Sequence, residues 1–446
     1  MGRTTTAPRG ARTGLDGLLA SPWAYALLAL AAAIVYWQAP KYPLGRFDED
    51  SILMPNMEYL VKTATVGDVI MRDAFFRPTG KVFYRPVQNV SYLIDARIGK
   101  GKASTFTVTS IVLHALCCIL LLVLLRQVGV RFGISPTFAF VLALFFTVNP
   151  LFVQAVAWTP GRGDLLLALF ALGALVSYHR YCSDGSALWL SACGVLTTLA
   201  IFSKETGIVM LVLLPLWWLL MERDRTSVRH MLLGVAPGII AAAVMFAMRA
   251  KIITEPTTTA DFALVNLLSN LRVFPEISAK LFAPPLLQTM AGYTMLCTIL
   301  GGIVLLGLGA ASLVRGETSS RATALYGLAW YGAFLLPGAL YTHRFGSAAY
   351  DYLEHRGYVP AIGLALVLFI VLGRLLRNVQ PRIVTAAGGI VVVVFAALAM
   401  GHVRDFASAT TFYDQTVRTN PASALARANR GQMRQAAGDI QGAMDD

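Results

Sequence analysis

Of the chain's 446 residues, 56% are hydrophobic and 14% charged, against roughly 25% charged in a soluble domain, which excludes an ordinary water-soluble enzyme. The net charge of +13 does not mark a nucleic-acid protein, because the basic residues are scattered in small groups between hydrophobic runs and form no stripe. Cys117, Cys118, Cys182, Cys193 and Cys297 all fall within or beside apolar runs, with no spacing that suggests a metal site or a disulfide framework.

In chain order, residues 1–21 form an Arg/Thr/Gly-rich tail. The apolar run from Ala24 to Gln38 that follows has no small-residue cleavage motif behind it, so it reads as a retained first span. Runs near the membrane-spanning length of about 20 residues fall at about 22–39, 105–125, 135–149, 163–181, 187–203, 206–221, 231–248, 291–314, 322–341, 358–373 and 383–401. The expectation is an all-α polytopic membrane protein with about eleven crossings: a membrane domain over 22–401 and a tail over 402–446.

Orientation follows from the arginines, since cytoplasmic loops carry an excess of Lys and Arg. One side receives Arg3, Arg9 and Arg12, then Arg126 and Arg131, Arg180, then Arg223, Arg225 and Arg229, Arg315 and Arg321, and Arg374, Arg377 and Arg382. That side is read as cytoplasmic, with the N-terminus. The opposite side takes the long loops 40–104 and 249–290 and the C-terminal tail. Val87, Val90 and Ile94 at helical spacing suggest a helix lying on the membrane surface.

The unusual residues collect on that outer side. Asp48, Glu49 and Asp50 stand together just after the first span. Carboxylates near lipid are costly unless partnered or used, and a carboxylate is a natural base for a sugar hydroxyl, although a solvated loop would give the same triplet. The loop continues through Asn56, Arg72-Asp73-Ala74-Phe75-Phe76 and Tyr84-Arg85-Pro86, and the next span holds His114. This order resembles the transmembrane and TPR-containing (TMTC) O-mannosyltransferases and their bacterial relatives, members of the GT-C class. The resemblance continues in Asn149-Pro150 through Trp158, in Gly161-Arg162-Gly163-Asp164, in Lys204-Glu205, and in Glu354-His355-Arg356-Gly357-Tyr358-Val359-Pro360. Asn149 and Gln154 depart from it, standing where the family has His and Glu. Asp164 could also serve as a helix N-cap, and Lys204-Glu205 or Glu354 and Arg356 could act only as local ion-pair anchors.

The resemblance implies a GT-C-like fold and a membrane glycosyltransferase. It would move a sugar, mannose first, from a polyprenyl-phosphate donor to a hydroxyl of a protein or glycan acceptor. Asp48 or Glu49 would be the base. Asp50, Arg85, His114, Arg162, Asp164, Lys204, Glu205, Glu354, His355 and Arg356 would bind donor or acceptor, Arg356 steadying the phosphate through guanidinium hydrogen bonds. No cofactor is called for, and a divalent metal is left open. The expected location is a plasma or bacterial inner membrane. The alternatives are transfer to a lipid or cell-surface glycan, and an inactive or transport-related protein. The stretch from Asn420 resembles the start of a tetratricopeptide repeat, which needs about 34 residues.

Overall fold

The computed structural model describes residues 15–76, 83–253, 264–314, 317–340 and 353–446. Arg3, Arg9, Arg12 and Arg315 of the topology reading, and the Tyr350-Asp351-Tyr352 stretch that precedes Glu354, lie outside the described residues. Among those described there is no strand, and every apolar run read from the sequence falls on a helix.

Seven described helices are long and apolar enough to cross a bilayer, or eight if the bent pair Pro136–Thr147 and Pro150–Ala157 is one span. Trp23–Val35 and Ala187–Ser203 are apolar but shorter. Thr318–Ala339 has the length, yet its Thr, Ser, Tyr and Trp content keeps it out of the seven. The bend in the broken pair, 47°, has a local cause. Pro150 has no N–H to give a preceding turn and disfavours helical backbone at residue 149. The Asn149 side chain instead accepts from Leu151 N–H at 3.0 Å.

Helices Arg162–Asp184 and Tyr358–Leu375 are buried along most of their length and form the middle of the bundle. Pro381–Val403 and Met295–Leu313 run along its outside, exposing Ile390, Val393, Ile299 and Leu306. In water such apolar stripes would be unstable. Against acyl chains they are the expected surface. Thr318–Ala339 and Tyr358–Leu375 approach closely where Gly327 meets Gly363: a Cβ on Gly327 would sit 2.6 Å from the Gly363 carbonyl oxygen. Close backbone approach through small residues is how membrane helices gain packing without a hydrophobic drive. Gly363→Ala is therefore expected to lower stability by about 1–3 kcal/mol, read as a fall in the detergent-solubilised melting temperature.

Outside the bundle, the short helices Glu49–Ile52, Met57–Lys62 and Val66–Ile70 pack with Pro86–Gly99 around Leu53, Leu60, Val69 and Leu93. Thr65 and Asp68 close a capping box on the third. On Pro86–Gly99 the expected apolar face is only partly realised. Val87 and Val90 are half-buried, the exposed pair is Ile94 and Ile98, and the buried face carries Gln88, Asn89 and Asp95. The tail folds as the helices Ala409–Thr419 and Ala424–Ala436 with a short helix Ile440–Asp445. It docks on the loop before Met295: Gln288 donates to Thr419 O at 2.7 Å and Asn420 donates to Met290 O at 3.2 Å.

Candidate active site

The acidic triplet opens the one-turn helix Glu49–Ile52. Phe47 just before it has φ 51°, a left-handed conformation that costs a non-glycine residue about 1–3 kcal/mol. Trp158 holds it there, stacking on Phe47 with centroids 6.0 Å apart and donating its indole N–H to Arg46 O at 3.0 Å. This turn gives the three acids different surroundings. Glu49 is fully buried: its oxygens accept from Arg46 Nε at 2.9 Å and Nη2 at 3.0 Å, and from the backbone N–H groups of Gly45, Arg46 and Thr159, each at 3.1 Å. Asp50 is exposed, and partial burial of its carboxyl, with Glu49 alongside, pushes its pKa up. Asp48 is half-buried and is the member of the triplet that lines the large cavity.

That cavity, about 380 Å³, is lined by residues from five parts of the chain that the sequence reading marked. Asp164 enters from the first turn of Arg162–Asp184 and accepts two hydrogen bonds from Lys204 Nζ, both 2.7 Å. Lys204 sits at the break after Ala187–Ser203. Burial pulls its ammonium pKa down, and Asp164 beside it offsets only part of that. Arg85 Nε donates to Glu205 at 3.0 Å. His355 Nε2 stands 3.6 Å from Asp164 Oδ2, while its backbone N–H donates to Gln154 Oε1 at 2.9 Å and its Nδ1 lies 3.2 Å from the same oxygen. Beside it, Arg356 lines the cavity, and its guanidinium has no ion-pair or hydrogen-bond partner among the described residues. Met245, Phe246, Phe334, Leu335 and Val359 supply an apolar wall.

Asp48, Arg85, Asp164, Lys204, Glu205, His355 and Arg356 thus share one cavity. The other expected site residues do not line it, and their contacts explain why. Glu49 is spent on Arg46 and three amides. His114 lies in the bundle core, Nδ1 2.7 Å from the Tyr358 hydroxyl and Nε2 2.9 Å from Thr147 O. Arg162 pairs with Asp95 at 2.5 Å and stacks over Tyr92. Glu354 is 1% exposed and bonds Lys280 Nζ at 2.8 Å and Gln288 N–H at 2.9 Å. Asp50 stays outside the cavity, exposed. Gln154 and Asn149 are buried hydrogen-bonding residues, Gln154 donating to Thr289 O at 2.8 Å and Asn149 to Leu281 O at 3.0 Å.

Two polar residues of the cavity, Gln88 and Arg249, were not singled out by the sequence. Arg249 carried a usable signal, since in the orientation expected from the arginines it stands against the charge bias. Gln88 carried none. Among the described residues, no group of three or more His, Cys, Asp or Glu side chains could hold a metal ion.

Residues 97–249 match the family described as dolichyl-phosphate-mannose-protein mannosyltransferase. Among curated proteins, mouse protein O-mannosyl-transferase TMTC1 is 28% identical over 201 residues, covering 42% of this chain and 21% of that protein. Mouse TMTC4 is 22% identical over 407 residues, covering 76% of this chain and 54% of that protein. The chain therefore spans between a fifth and about half of the length of these two relatives. Among solved structures, ArnT from Cupriavidus metallidurans bound to undecaprenyl phosphate aligns with a TM-score of 0.47 at 15% identity, covering 94% of this chain and 79% of that one. The oligosaccharyltransferase AglB from Archaeoglobus fulgidus aligns at 0.46 and 15%, covering 90% and 56%. The chain is a multi-pass membrane protein similar to the TMTC O-mannosyltransferases, and Arg162, Asp164, Lys204 and Glu205 lie within residues 97–249, the stretch that matches the mannosyltransferase family.

Proposed function

We propose that this protein is a membrane glycosyltransferase. It takes a hexose, mannose in the reading its relatives' names favour, from a polyprenyl-phosphate donor and passes it to a hydroxyl of a protein or glycan on the extracytoplasmic side. The observation that carries the reading is one cavity holding both a guanidinium free of described partners, Arg356, and a carboxylate, Asp48. The first suits a phosphate oxygen; the second suits an acceptor hydroxyl. The apolar wall formed by Phe246 and Phe334 suits the first isoprene units of the lipid.

In the reaction, Asp48 takes the acceptor proton as the oxygen attacks the anomeric carbon. The bond from that carbon to the phosphate oxygen breaks on the opposite face, inverting the configuration. Polyprenyl phosphate leaves with the electron pair, its growing charge met by Arg356. Lys204 and Arg85 neutralise Asp164 and Glu205, so those carboxylates do not compete for the proton. Nothing in the step requires a metal, so addition of a chelator tests that independently.

Arg356→Ala is expected to weaken donor binding roughly ten- to a hundredfold, the effect of losing a charge-assisted hydrogen bond of about 1.5–3 kcal/mol, with little change in melting temperature. Binding of a polyprenyl-phosphate sugar to the purified variant measures the first, and a thermal melt the second. A variant that melts early but binds normally would make Arg356 a structural anchor and remove the phosphate site from this reading.

A further inference from the structure

We infer that Gln88 is a specificity-determining residue that hydrogen-bonds a sugar hydroxyl of the bound donor; the inference rests on the donor reading above. Gln88 is 2% exposed, lines the cavity, and makes no side-chain hydrogen bond among the described residues; its Oε1 is fully buried without a partner. Buried amides are normally supplied with partners; on the same helix face the Asn89 amino group and Asp95 have them, while Asn89 Oδ1, like Gln88 Oε1, has none. Asn89 Nδ2 donates to the carbonyls of Val69, Arg72 and Asp73, and Asp95 pairs with Arg162. Gln88 differs from them in facing a cavity rather than protein.

The chain also leaves room for this side chain. A Cβ on Gly163 would stand 2.5 Å from Gln88 Oε1 and 3.9 Å from Arg85 Nη1. Glycine at 163 therefore lets the amide lie over the first turn of Arg162–Asp184, next to Arg85 and one residue from Asp164. Among the cavity's charged groups, arginine and lysine only donate and ionised carboxylates only accept, whereas an amide offers both a donor and an acceptor. A hydroxyl also does both. Phosphate oxygens, which only accept, are better served by Arg356. The chemistry at Gln88 fits an uncharged, hydroxylated ring, and Gln88 reads the sugar where Arg356 reads the phosphate.

The test compares two probes on purified full-length protein in lipid nanodiscs: polyprenyl phosphate and polyprenyl-phosphate mannose. Gln88→Leu keeps bulk and removes hydrogen bonding. It is expected to weaken binding of the mannose-bearing lipid roughly three- to tenfold, the range of one neutral hydrogen bond, and to leave polyprenyl phosphate unchanged. Gln88→Asn withdraws the amide by one methylene and is expected to give the same selective loss in a variant that retains a polar side chain, which covers the case in which the leucine variant does not fold. Equal losses for both lipids, or no loss for either, overturn the assignment. Wild-type protein that binds the two lipids equally well overturns it while the lipid-phosphate site stands. Wild-type protein that binds neither removes the donor reading and this inference with it.

Discussion

Asp48→Asn is expected to retain donor binding and lose transfer by a factor of about 100 to 10,000, the usual contribution of a general base. Asparagine keeps the size and one acceptor oxygen but cannot take up the acceptor proton. The choice among three consecutive acids rests on their surroundings. Glu49 has its carboxylate saturated by Arg46 and the backbone amides of Gly45, Arg46 and Thr159, so a proton would have to displace an ion pair to reach it. Asp50 is exposed and does not line the cavity, so Asp50→Asn should change the rate little. Single-turnover consumption of a polyprenyl-phosphate sugar, with binding measured separately on each variant, checks the ordering. An Asp48→Asn variant that turns over at the wild-type rate ends the assignment.

Glu49→Ala is expected to cost about 3–5 kcal/mol of stability, the cost of leaving a buried charge without its partner. Arg46 is 1% exposed, and its remaining guanidinium bond goes to the Phe406 carbonyl at the start of the tail. Without Glu49 its charge would be stranded in the interior, and the amides of Gly45 and Thr159 would lose their acceptor. The same turn holds Phe47 in its left-handed conformation, so the loss should spread to the position of Asp48. The measurement is the yield of folded, monodisperse protein and its melting temperature. A Glu49→Ala protein as stable as wild type would mean that the buried pair is not what holds the turn.

These two neighbours also mark what could and could not be read from the sequence. Hydropathy located every helix of the bundle, because lipid forces the backbone to satisfy itself within each segment. It could not say that Asn149-Pro150 breaks a segment, nor how many segments truly cross. The motifs marked stretches that the fold brings together, since Asp164, Lys204 and His355 converge although they lie far apart in sequence. Which residue of a motif faces the cavity depends on helix phase and on a single φ, neither of which is visible in residue order. Arg162 and Asp164 are two positions apart on one helical turn, so Arg162 points to Asp95 while Asp164 meets the cavity. Glu354 and His355 divide in the same way, the first toward Lys280 and the second toward Asp164. The resemblance marks His114, whose two ring nitrogens are met by Tyr358 and Thr147 in the bundle core. Gln88 was invisible for the opposite reason: its importance comes from lacking a partner.

The central claim, that the cavity binds a polyprenyl-phosphate sugar between Arg356 and Asp48, is tested most directly by a map of the purified protein with a non-transferable polyprenyl-phosphate hexose analogue. The account predicts the phosphate within hydrogen-bonding distance of Arg356, the lipid leaving along Phe246 and Phe334, and the anomeric carbon facing Asp48. Lipid density elsewhere on the bundle, with the cavity empty, would contradict it.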